Sequence, residues 1–446
     1  MTEAAPVEER LGAAFPPAAA AGRSGRRIAL VLLTAIGTIN FIDRQILSVL
    51  IEPMRADLHF SDTQFGFLTG LSFALFYAAL GVPVAMLADR THRIRLIAAA
   101  CFVWSLFSGA CGFAGSFWQL ALARFGVGVG EAGGTAPSLS VLADLYPPRQ
   151  RAAVTGLFTA NGPLGVFLAA SAGGFVAGRL GWRGAFLCIS ALGMIATPLL
   201  LMAVREPRRG AMEAAAALRV QPGPASAALG RTAGLFVRRR TLSLLLAASG
   251  LSAFVSYGML NWIPAYLMRE QHMPLAAIAH WFGPAAGLSM GLGIWGGGAL
   301  VNLAARRSER AYALIPGLAM LVAGPSFALS LMAPSWPVSL LLMLLPMMCV
   351  TVYVAPALAV VQNLAPVSAR ATAMALLLLA FNIVGLGGGP LGIGMLSDAL
   401  RHAHVARSLQ GSLVWLAPLS IVAALIYYGV SRTIVADAAL SRSEHG

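Results

Sequence analysis

The sequence predicts an all-α membrane protein in which twelve transmembrane helices form two pseudo-symmetric bundles of six. Three observations support this fold class: a composition that is 58% hydrophobic and only 11% charged, twelve long apolar runs, and a weak internal repeat. So few charges cannot cover a water-exposed surface, since soluble domains carry roughly 25% charged residues. Disordered chains are excluded as well, because they are poor in apolar residues.

The apolar runs match the length that a bilayer requires. A hydrocarbon core of about 30 Å is crossed by about 20 residues of helix. Strands of a membrane barrel would be about 10 residues long with alternating polarity, so helices are predicted. The runs are 28–50, 63–86, 94–113, 117–142, 152–178, 184–204, 241–267, 276–304, 311–333, 337–362, 371–397 and 411–431.

Arginine residues predict the orientation. All 31 basic residues are Arg. With a cytoplasmic N-terminus, 23 of them fall in cytoplasmic segments and six in outer loops, which are Arg55, Arg179, Arg183, Arg269, Arg401 and Arg407. This excess follows the positive-inside rule. We therefore expect a protein of the plasma (inner) membrane with both termini in the cytoplasm, and nucleic-acid binding is not needed to explain the basic charge.

The Arg-rich segment 205–240 divides the runs six and six. We interpret it as a cytoplasmic linker between bundles at 28–204 and 241–432. The flanking segments 1–27 and 433–446 are predicted to be cytoplasmic tails, the first of them disordered.

A shift of 213 residues relates the two halves. It aligns the first run with the seventh, and Leu87-Ala88-Asp89 with Leu300-Val301-Asn302; a shift of 219 aligns Arg151-Ala152 with Arg370-Ala371. Parallel repeats of this kind are related by an axis along the membrane normal, and transporters built from them bind substrate between the repeats. A central site between the bundles is therefore predicted.

Charged residues inside the first and fourth runs mark the candidate site. Asn40, Asp43 and Arg44 are three or four residues apart, which predicts a shared helix face. Arg124 and Glu131 are seven apart, so they share a face about 10 Å apart along the axis. Intramembrane charges indicate function by default. A carboxylate beside Arg stays ionised and takes up a proton when desolvated, which favours a protonatable site; the alternative is an ion network that only holds the bundle together.

The second half has no equivalent charges, because Ser256 and Tyr257 occupy the positions of Asp43 and Arg44. A charged half that faces an uncharged half suits an amphipathic ligand. The candidate cavity residues of the second half are Tyr257, Asn261, Trp262, Tyr353 and Asn382. The four Cys lie singly in apolar runs and are expected to pack, with no metal-ligand spacing and no cofactor motif.

The segment Leu87-Ala88-Asp89-Arg90-Thr91-His92-Arg93-Ile94-Arg95 resembles the signature loop of the major facilitator superfamily, with Ala85 and His92 at its usual Gly positions. More specifically, four segments are similar to the Spinster branch. They are Asn40-Phe41-Ile42-Asp43-Arg44, Pro83 through Asp89-Arg90, Gly128-Val129-Gly130-Glu131-Ala132 and Leu142-Ala143-Asp144-Leu145-Tyr146.

The resemblance implies secondary active transport, with Asp43, Arg44 and Glu131 as the charged coupling site. It also implies a cytoplasmic gate, for which the candidates are Asp89, Arg90, Arg93, Asp144 and Arg151; Asp89 would face the start of the eleventh helix near residues 368–371. Spinster-like members are associated with export of lysophospholipids and sphingolipids, with proton coupling proposed for several. A lipid-like solute, protons and the bilayer are therefore the expected partners of a monomer.

Three alternatives remain at this stage. One keeps the fold and changes the cargo to a small carboxylate that Arg44 or Arg124 grips bidentately. Another is a membrane sensor that does not transport. A membrane-embedded enzyme is disfavoured, because the sequence has no convincing metal cluster, phosphate-binding loop or nucleophile elbow.

Overall fold

The computed structural model describes residues 23–209, 234–365 and 370–443, together with Met212 and Thr232. Twelve helical regions follow the twelve predicted runs. Those of the first half are α1 (Arg23–Val49), α2 (Asp62–Gly66, Phe67–Leu71 and Ser72–Arg90), α3 (Arg93–Gly112), α4 (Phe117–Glu131 and Thr135–Leu145), α5 (Pro148–Thr159, Asn161–Leu168, Ala169–Gly173 and the start of Gly174–Ala203) and α6, the part of Gly174–Ala203 after Gly181. A short connecting helix, Ile51–Leu58, joins α1 to α2.

The second half repeats this order. Its helices are α7 (Arg240–Arg269), α8 (Leu275–Ala277, Ile278–Phe282, Gly283–Gly291, Leu292–Gly296 and Gly297–Ala305), α9 (Ala311–Leu331), α10 (Trp336–Cys349 and Val354–Leu364), α11 (Arg370–Ala380, Phe381–Gly388 and Gly389–His402) and α12 (Ser408–Val414 and Leu416–Ser443). Nine helices within the described ranges are long and apolar enough to cross a membrane. One of them, Pro148–Ala203, combines α5 and α6, while α2 and α4 are not among them, so twelve crossings stay a prediction.

Local sequence explains where several helices begin. Ser61 caps α2, since its Oγ accepts from the Gln64 amide at 3.2 Å and the Gln64 side chain accepts from the Ser61 amide at 2.8 Å. Two such bonds satisfy backbone donors that a helix start leaves unpaired. Pro148 opens α5, a position where its missing amide hydrogen costs nothing. Gly181 separates α5 from α6 at φ 70°, a conformation that favours glycine.

The helices α2, α5, α8 and α11 all contain wide π-helical turns. These turns are Phe67–Leu71, Ala169–Gly173, Ile278–Phe282, Leu292–Gly296 and Phe381–Gly388. The helix α2 corresponds to α8 under the shift of 213 residues, and α5 corresponds to α11 under the shift of 219. The same feature therefore recurs in equivalent helices, and turns of this kind are a common cause of helix bending.

Close helix contacts between the halves follow the repeat. A Cβ at Gly70 of α2 would lie 2.6 Å from the carbonyl oxygen of Leu386 in α11, and one at Gly283 of α8 would lie 3.0 Å from that of Phe167 in α5. Gly70 and Gly283 differ by 213 positions, and Phe167 and Leu386 by 219. The α2–α11 and α5–α8 seams are therefore equivalent under the shifts read from the sequence, and glycine lets both approach closely.

The termini differ from the prediction. The helix α1 begins at Arg23, so residues 23–27 belong to it rather than to a disordered tail, and 1–22 lie outside the described residues. The segment predicted as a tail from 433 is helical to Ser443. It is anchored because Asp437 accepts from the Thr241 amide at 3.1 Å and Arg239 donates to the Asp437 carbonyl at 3.0 Å. Most of the predicted linker lies outside the described residues.

Candidate functional site

Two ion pairs connect α1 to α4 inside the first half. The Nη1 of Arg124 lies 2.7 Å from Oδ2 of Asp43, and the Nε of Arg44 lies 2.5 Å from Oε2 of Glu131. Ser108 of α3 also donates to Oδ1 of Asp43. The structure thus brings together four of the residues singled out in the sequence, in two separate pairs.

The pairs differ in exposure. The side chains of Asp43 and Glu131 are fully buried and that of Arg124 is 2% exposed, whereas Arg44 is 16% exposed. Asp43 and Arg44 both bind α4, as a shared face would allow, but they diverge beyond it because consecutive residues of a helix point about 100° apart. Asp43 also bonds to Ser108 of α3, while Arg44 is the more exposed of the two. In the described part of the chain, Oε1 of Glu131 and Nε of Arg124 have no hydrogen-bond partner.

A cavity of about 320 Å³ lies between the two halves, within the range typical of small-molecule sites. Its polar lining from the first half is Arg44, Gln45, Thr69, Arg124, Thr135, Thr159 and Asn161. Its lining from the second half is mostly apolar, including Met259, Leu260, Ile263, Ala286, Met290, Ile294, Met347, Val350, Val354, Leu378, Phe381 and Leu386.

The charges around this cavity are arranged in two layers. Arg44 and Arg124 line the cavity, but their partners Glu131 and Asp43 do not. A solute in the cavity therefore meets guanidinium groups first, with the carboxylates behind them. Guanidinium groups bind carboxylate and phosphate in a bidentate manner, so the polar side of the cavity suits an anion.

Of the five cavity residues predicted in the second half, three line the cavity and two do not. Tyr257, Asn261 and Tyr353 line the cavity, as expected. Trp262 lies outside it, because it is fully buried and its indole donates to the carbonyl of Pro390 at 2.9 Å. Asn382 lies outside it too and donates to Leu378 in its own helix at 2.8 Å. Asn40 of α1 is buried but is not part of the lining.

A network of charged residues, which the sequence did not predict, joins the halves at one end of the molecule. We call this the Asp62 end; it is the predicted outer end. Arg55 of the connecting helix donates to Oδ1 of Asp62 at 2.8 Å. From the second half, Arg269 and Arg401 donate to Oδ2 at 2.9 Å and 2.5 Å, and Ser397 donates to the same atom at 2.7 Å.

Two more carboxylates complete this network. Glu52 accepts from Arg269 at 2.7 Å. Asp398 of α11 accepts from the amide of Thr63 at 2.7 Å and so caps α2 from the opposite half. The Asp62 end is therefore closed by three carboxylates and three guanidinium groups. The sequence contains one indication of this network: three of the six predicted outer-loop arginines, Arg55, Arg269 and Arg401, belong to it.

The predicted gate at the other end has a different arrangement. Arg93 is buried and bonds to Asp144 at 2.5 Å and to Glu206 at 2.6 Å. Arg93 and Asp144 belong to the first half and Glu206 to the segment 205–240, so these two ion pairs do not reach the second half. Arg90 is exposed, and Arg151 donates to the carbonyl of Tyr146. The side chain of Asp89 and residues 366–369 lie outside what the structure describes.

Glu206 is a functional candidate that the sequence reasoning missed. It also accepts from the amide of Ile94 at 2.9 Å, and so caps the start of α3. Its signal was weak, since it is a single acidic residue in an Arg-rich segment.

The profile of the Major Facilitator Superfamily matches residues 33–389. The chain belongs to this superfamily. It is therefore a multi-pass membrane transporter, and the superfamily is not one of enzymes. A crystal structure of a bacterial homolog of the human lysosomal transporter Spinster, in an inward-facing and unoccupied conformation, superposes with a TM-score of 0.83 at 28% identity, covering 93% of this chain and 99% of that one. This confirms the prediction of a Spinster-like major facilitator transporter.

Two bacterial relatives carry different transport names. An MFS-type efflux pump of Mycolicibacterium smegmatis is 32% identical over 404 residues, which cover 90% of this chain and 91% of that protein. A hexuronate transporter of Bacillus subtilis is 27% identical over 250 residues, 56% of this chain and 58% of its own length. Similarity alone therefore leaves the substrate class to be argued from the site.

Proposed function

We propose that this protein is a proton-coupled secondary transporter that moves an anionic amphiphile by alternating access. The observation that carries the proposal is the position of Arg44, whose Nε binds the buried carboxylate of Glu131 while the residue lines the cavity. A single guanidinium group thus stands between the candidate proton carrier and the candidate substrate.

Competition between the anion and Glu131 for Arg44 couples anion binding to proton uptake. An anionic head in the cavity draws the guanidinium group away from Glu131. A carboxylate that loses its counter-charge in a low-dielectric interior favours its protonated form, so anion binding promotes proton uptake by Glu131. Linkage is reciprocal, which means that protonation equally promotes anion binding. The arrangement therefore favours movement of proton and anion in the same direction.

Asp43 has a different role in this scheme. It is absent from the cavity lining and is held by both Arg124 and Ser108. Because two partners occupy the carboxylate, we assign Asp43 the task of orienting Arg124 toward the cavity. Arg124 then supplies a second, fixed positive charge for the anionic head.

The apolar wall of the second half supplies the site for a tail. Met259, Met290 and Met347 are part of this wall, and flexible thioether side chains adapt to apolar groups of different shape. Each buried methylene contributes roughly 0.8 kcal/mol, which is about fourfold in affinity. A cargo with an acyl or alkyl chain would therefore gain affinity as the chain lengthens, until it fills the cavity.

A small sugar acid is the second candidate. The hexuronate transporter is among the relatives, and Gln45, Thr135 and Asn161 place hydrogen-bonding groups near the two cavity arginines. These groups match the hydroxyls of a sugar as well as its carboxylate. This reading requires that the apolar wall serve only to close the cavity.

Binding of a homologous series to the purified transporter in nanodiscs separates the two candidates. In wild type, we expect affinity to rise with chain length from octyl phosphate upward and to level off once the chain fills the cavity. In Arg44→Gln affinity should fall for every member with the slope retained, and in Met290→Ser the slope should decrease. A flat series, combined with tighter binding of glucuronate, would reject the amphiphile and favour the sugar acid.

A further inference from the structure

Ser48 and Asn261 occupy equivalent positions in the two halves, because they are separated by the repeat shift of 213 residues. They are also in direct contact: the Oγ of Ser48 donates to Oδ1 of Asn261 at 2.7 Å, and both residues are buried. Two equivalent residues that touch must lie beside the pseudo-two-fold axis. This hydrogen bond therefore joins the halves at the centre of the molecule.

The bond lies between the cavity and the Asp62 end. Along α1, Ser48 follows the cavity residues Arg44 and Gln45 and precedes the connecting helix. Along α7, Asn261 lines the cavity and precedes Arg269, which binds Asp62. The Ser48–Asn261 bond thus closes the cavity on the side of the Asp62 network.

Asn261 has contacts in two directions. Its Oδ1 faces Ser48 of the other half, its Nδ2 donates to the carbonyl of Tyr257 at 2.9 Å, and the residue also contributes to the cavity wall. The amide oxygen accepts from Ser48 and the amide nitrogen donates to Tyr257, so a solute that turns this amide toward the cavity in order to bind it breaks these internal bonds. The same side chain therefore contacts both the contents of the cavity and the opposite half of the molecule.

We propose that Asn261 couples occupation of the cavity to opening of the Asp62 end. The inference rests on the proposed transport function and assigns Asn261 as a positioning residue. A hydroxyl near the head of the cargo donates to Oδ1 of Asn261 and displaces Ser48. Separation of the halves then breaks one buried hydrogen bond fewer, so the Asp62 end opens more readily when the cavity is filled.

The test uses access to the cavity from the Asp62 side. Ser256 lines the cavity, so Ser256→Cys, in a background with the four native cysteines replaced, is a reporter for a membrane-impermeant thiol reagent. The reaction rate with reagent applied on the Asp62 side follows the open fraction. Without cargo, Ser48→Ala should react about two- to tenfold faster than its parent, as loss of one buried hydrogen bond predicts.

Ser252→Ala is the matched control. Ser252 is also buried, but its hydroxyl donates to Ala248 of the same helix at 2.8 Å and contacts the hydroxyl of Tyr427, which also belongs to the second half. The control should react at the parental rate. Equal rates in Ser48→Ala and Ser252→Ala would overturn the proposed contact between the halves.

Addition of lauroyl lysophosphatidic acid, which has a free hydroxyl beside its phosphate, tests the coupling. Because bound lipid would shield position 256, opening is followed in this part of the test by the distance between spin labels at Ala56 and Ala403, which are exposed at the Asp62 end in opposite halves. The lipid should raise the open population of the parent and of Ser252→Ala, but add little in Ser48→Ala, where the bond is already absent. Asn261→Ser provides a second variant in which the lipid should bind without raising the open population. A full response to the lipid in either Ser48→Ala or Asn261→Ser would overturn the coupling. A parent that does not bind the lipid would instead reject the cargo assignment, and the cargo-free comparison would still decide the contact.

Discussion

Replacement of Asp62 by Asn is expected to open the molecule at the Asp62 end. The Asp62 side chain is 1% exposed and accepts from Arg55, Arg269, Arg401 and Ser397. Two of the arginines and the serine belong to the second half, so these bonds exist only while the halves meet. Asn keeps one acceptor oxygen but removes the charge that holds three guanidinium groups together.

The burial of Asp62 determines how much Asp62→Asn destabilises the closed state. Removing one partner of a buried ion pair costs about 3–5 kcal/mol. The side chains of Arg269 and Arg401 are 20% and 39% exposed, so water replaces part of the hydrogen bonding that they lose with the Asp62 carboxylate. Asn also retains one hydrogen bond, and we therefore expect about 2 kcal/mol. This corresponds to roughly a 30-fold rise in the ratio of open to closed molecules.

The rate of modification of Ser256→Cys from the Asp62 side measures this ratio. Asp57→Asn is the matched control, because Asp57 accepts from Arg183 and from the indole of Trp182 at 3.1 Å, all within the first half. It should leave the rate unchanged. If Asp62→Asn and Asp57→Asn both react at the parental rate, the reasoning that the Asp62 network closes this end is refuted.

Three further predictions concern charge. Glu131→Gln should abolish accumulation driven by a pH gradient in proteoliposomes while exchange of cargo continues, since the amide cannot carry a proton; persistent pH-driven accumulation would exclude Glu131 as the carrier. Arg44→Lys should impair transport nearly as much as Arg44→Ala, because Lys lacks the planar fork; near-normal uptake by the Lys variant would reduce Arg44 to charge balance. Asp62 precedes the apolar run that begins at residue 63 and so lies outside the spanning segment. Burial alone would raise the pKa of Asp62, but the bonds and charges of Arg269 and Arg55 lower it below the ordinary 3.8. The closed state is then stabilised above about pH 4 and destabilised as pH falls through the lowered pKa. Access from the Asp62 side, taken as the rate of Ser256→Cys modification divided by the thiolate fraction at each pH, should therefore be constant from pH 8 to 5 if this network alone controls it, and a change within that range would show that another group does.

The positions of the helices could be predicted because bilayer thickness sets the length of an apolar run. The start of α3 at Arg93 and the end of α7 at Arg269 lie within about two residues of the predicted limits, as apolar patterning permits. The interruptions inside helices could not be predicted, since they depend on packing against a neighbour. The turn at Phe381–Gly388, for example, lies where α11 meets α2 and α7.

The composition of the site was predictable, but its pairing was not. The cost of intramembrane charge identified Asp43, Arg44, Arg124 and Glu131. Which acid meets which base depends on how α1 crosses α4. The Asp62 network was missed for a related reason: its residues come from four separate segments, each of which looks like an ordinary charged helix end.

The two ends of the molecule are held by different kinds of contact, and this difference has a consequence for transport. At the Asp62 end, carboxylates of the first half bind guanidinium groups of the second. At the opposite end, Arg93 pairs with Asp144 of the first half and with Glu206 of the segment 205–240, so parting the halves there leaves these pairs intact. Opening at the Asp62 end must break the ion pairs between the halves, whereas this cluster imposes no such cost. Under the proposed function, the free energy that opens the Asp62 end comes from the centre, where cargo would compete for Arg44 and Asn261 and a proton would neutralise Glu131.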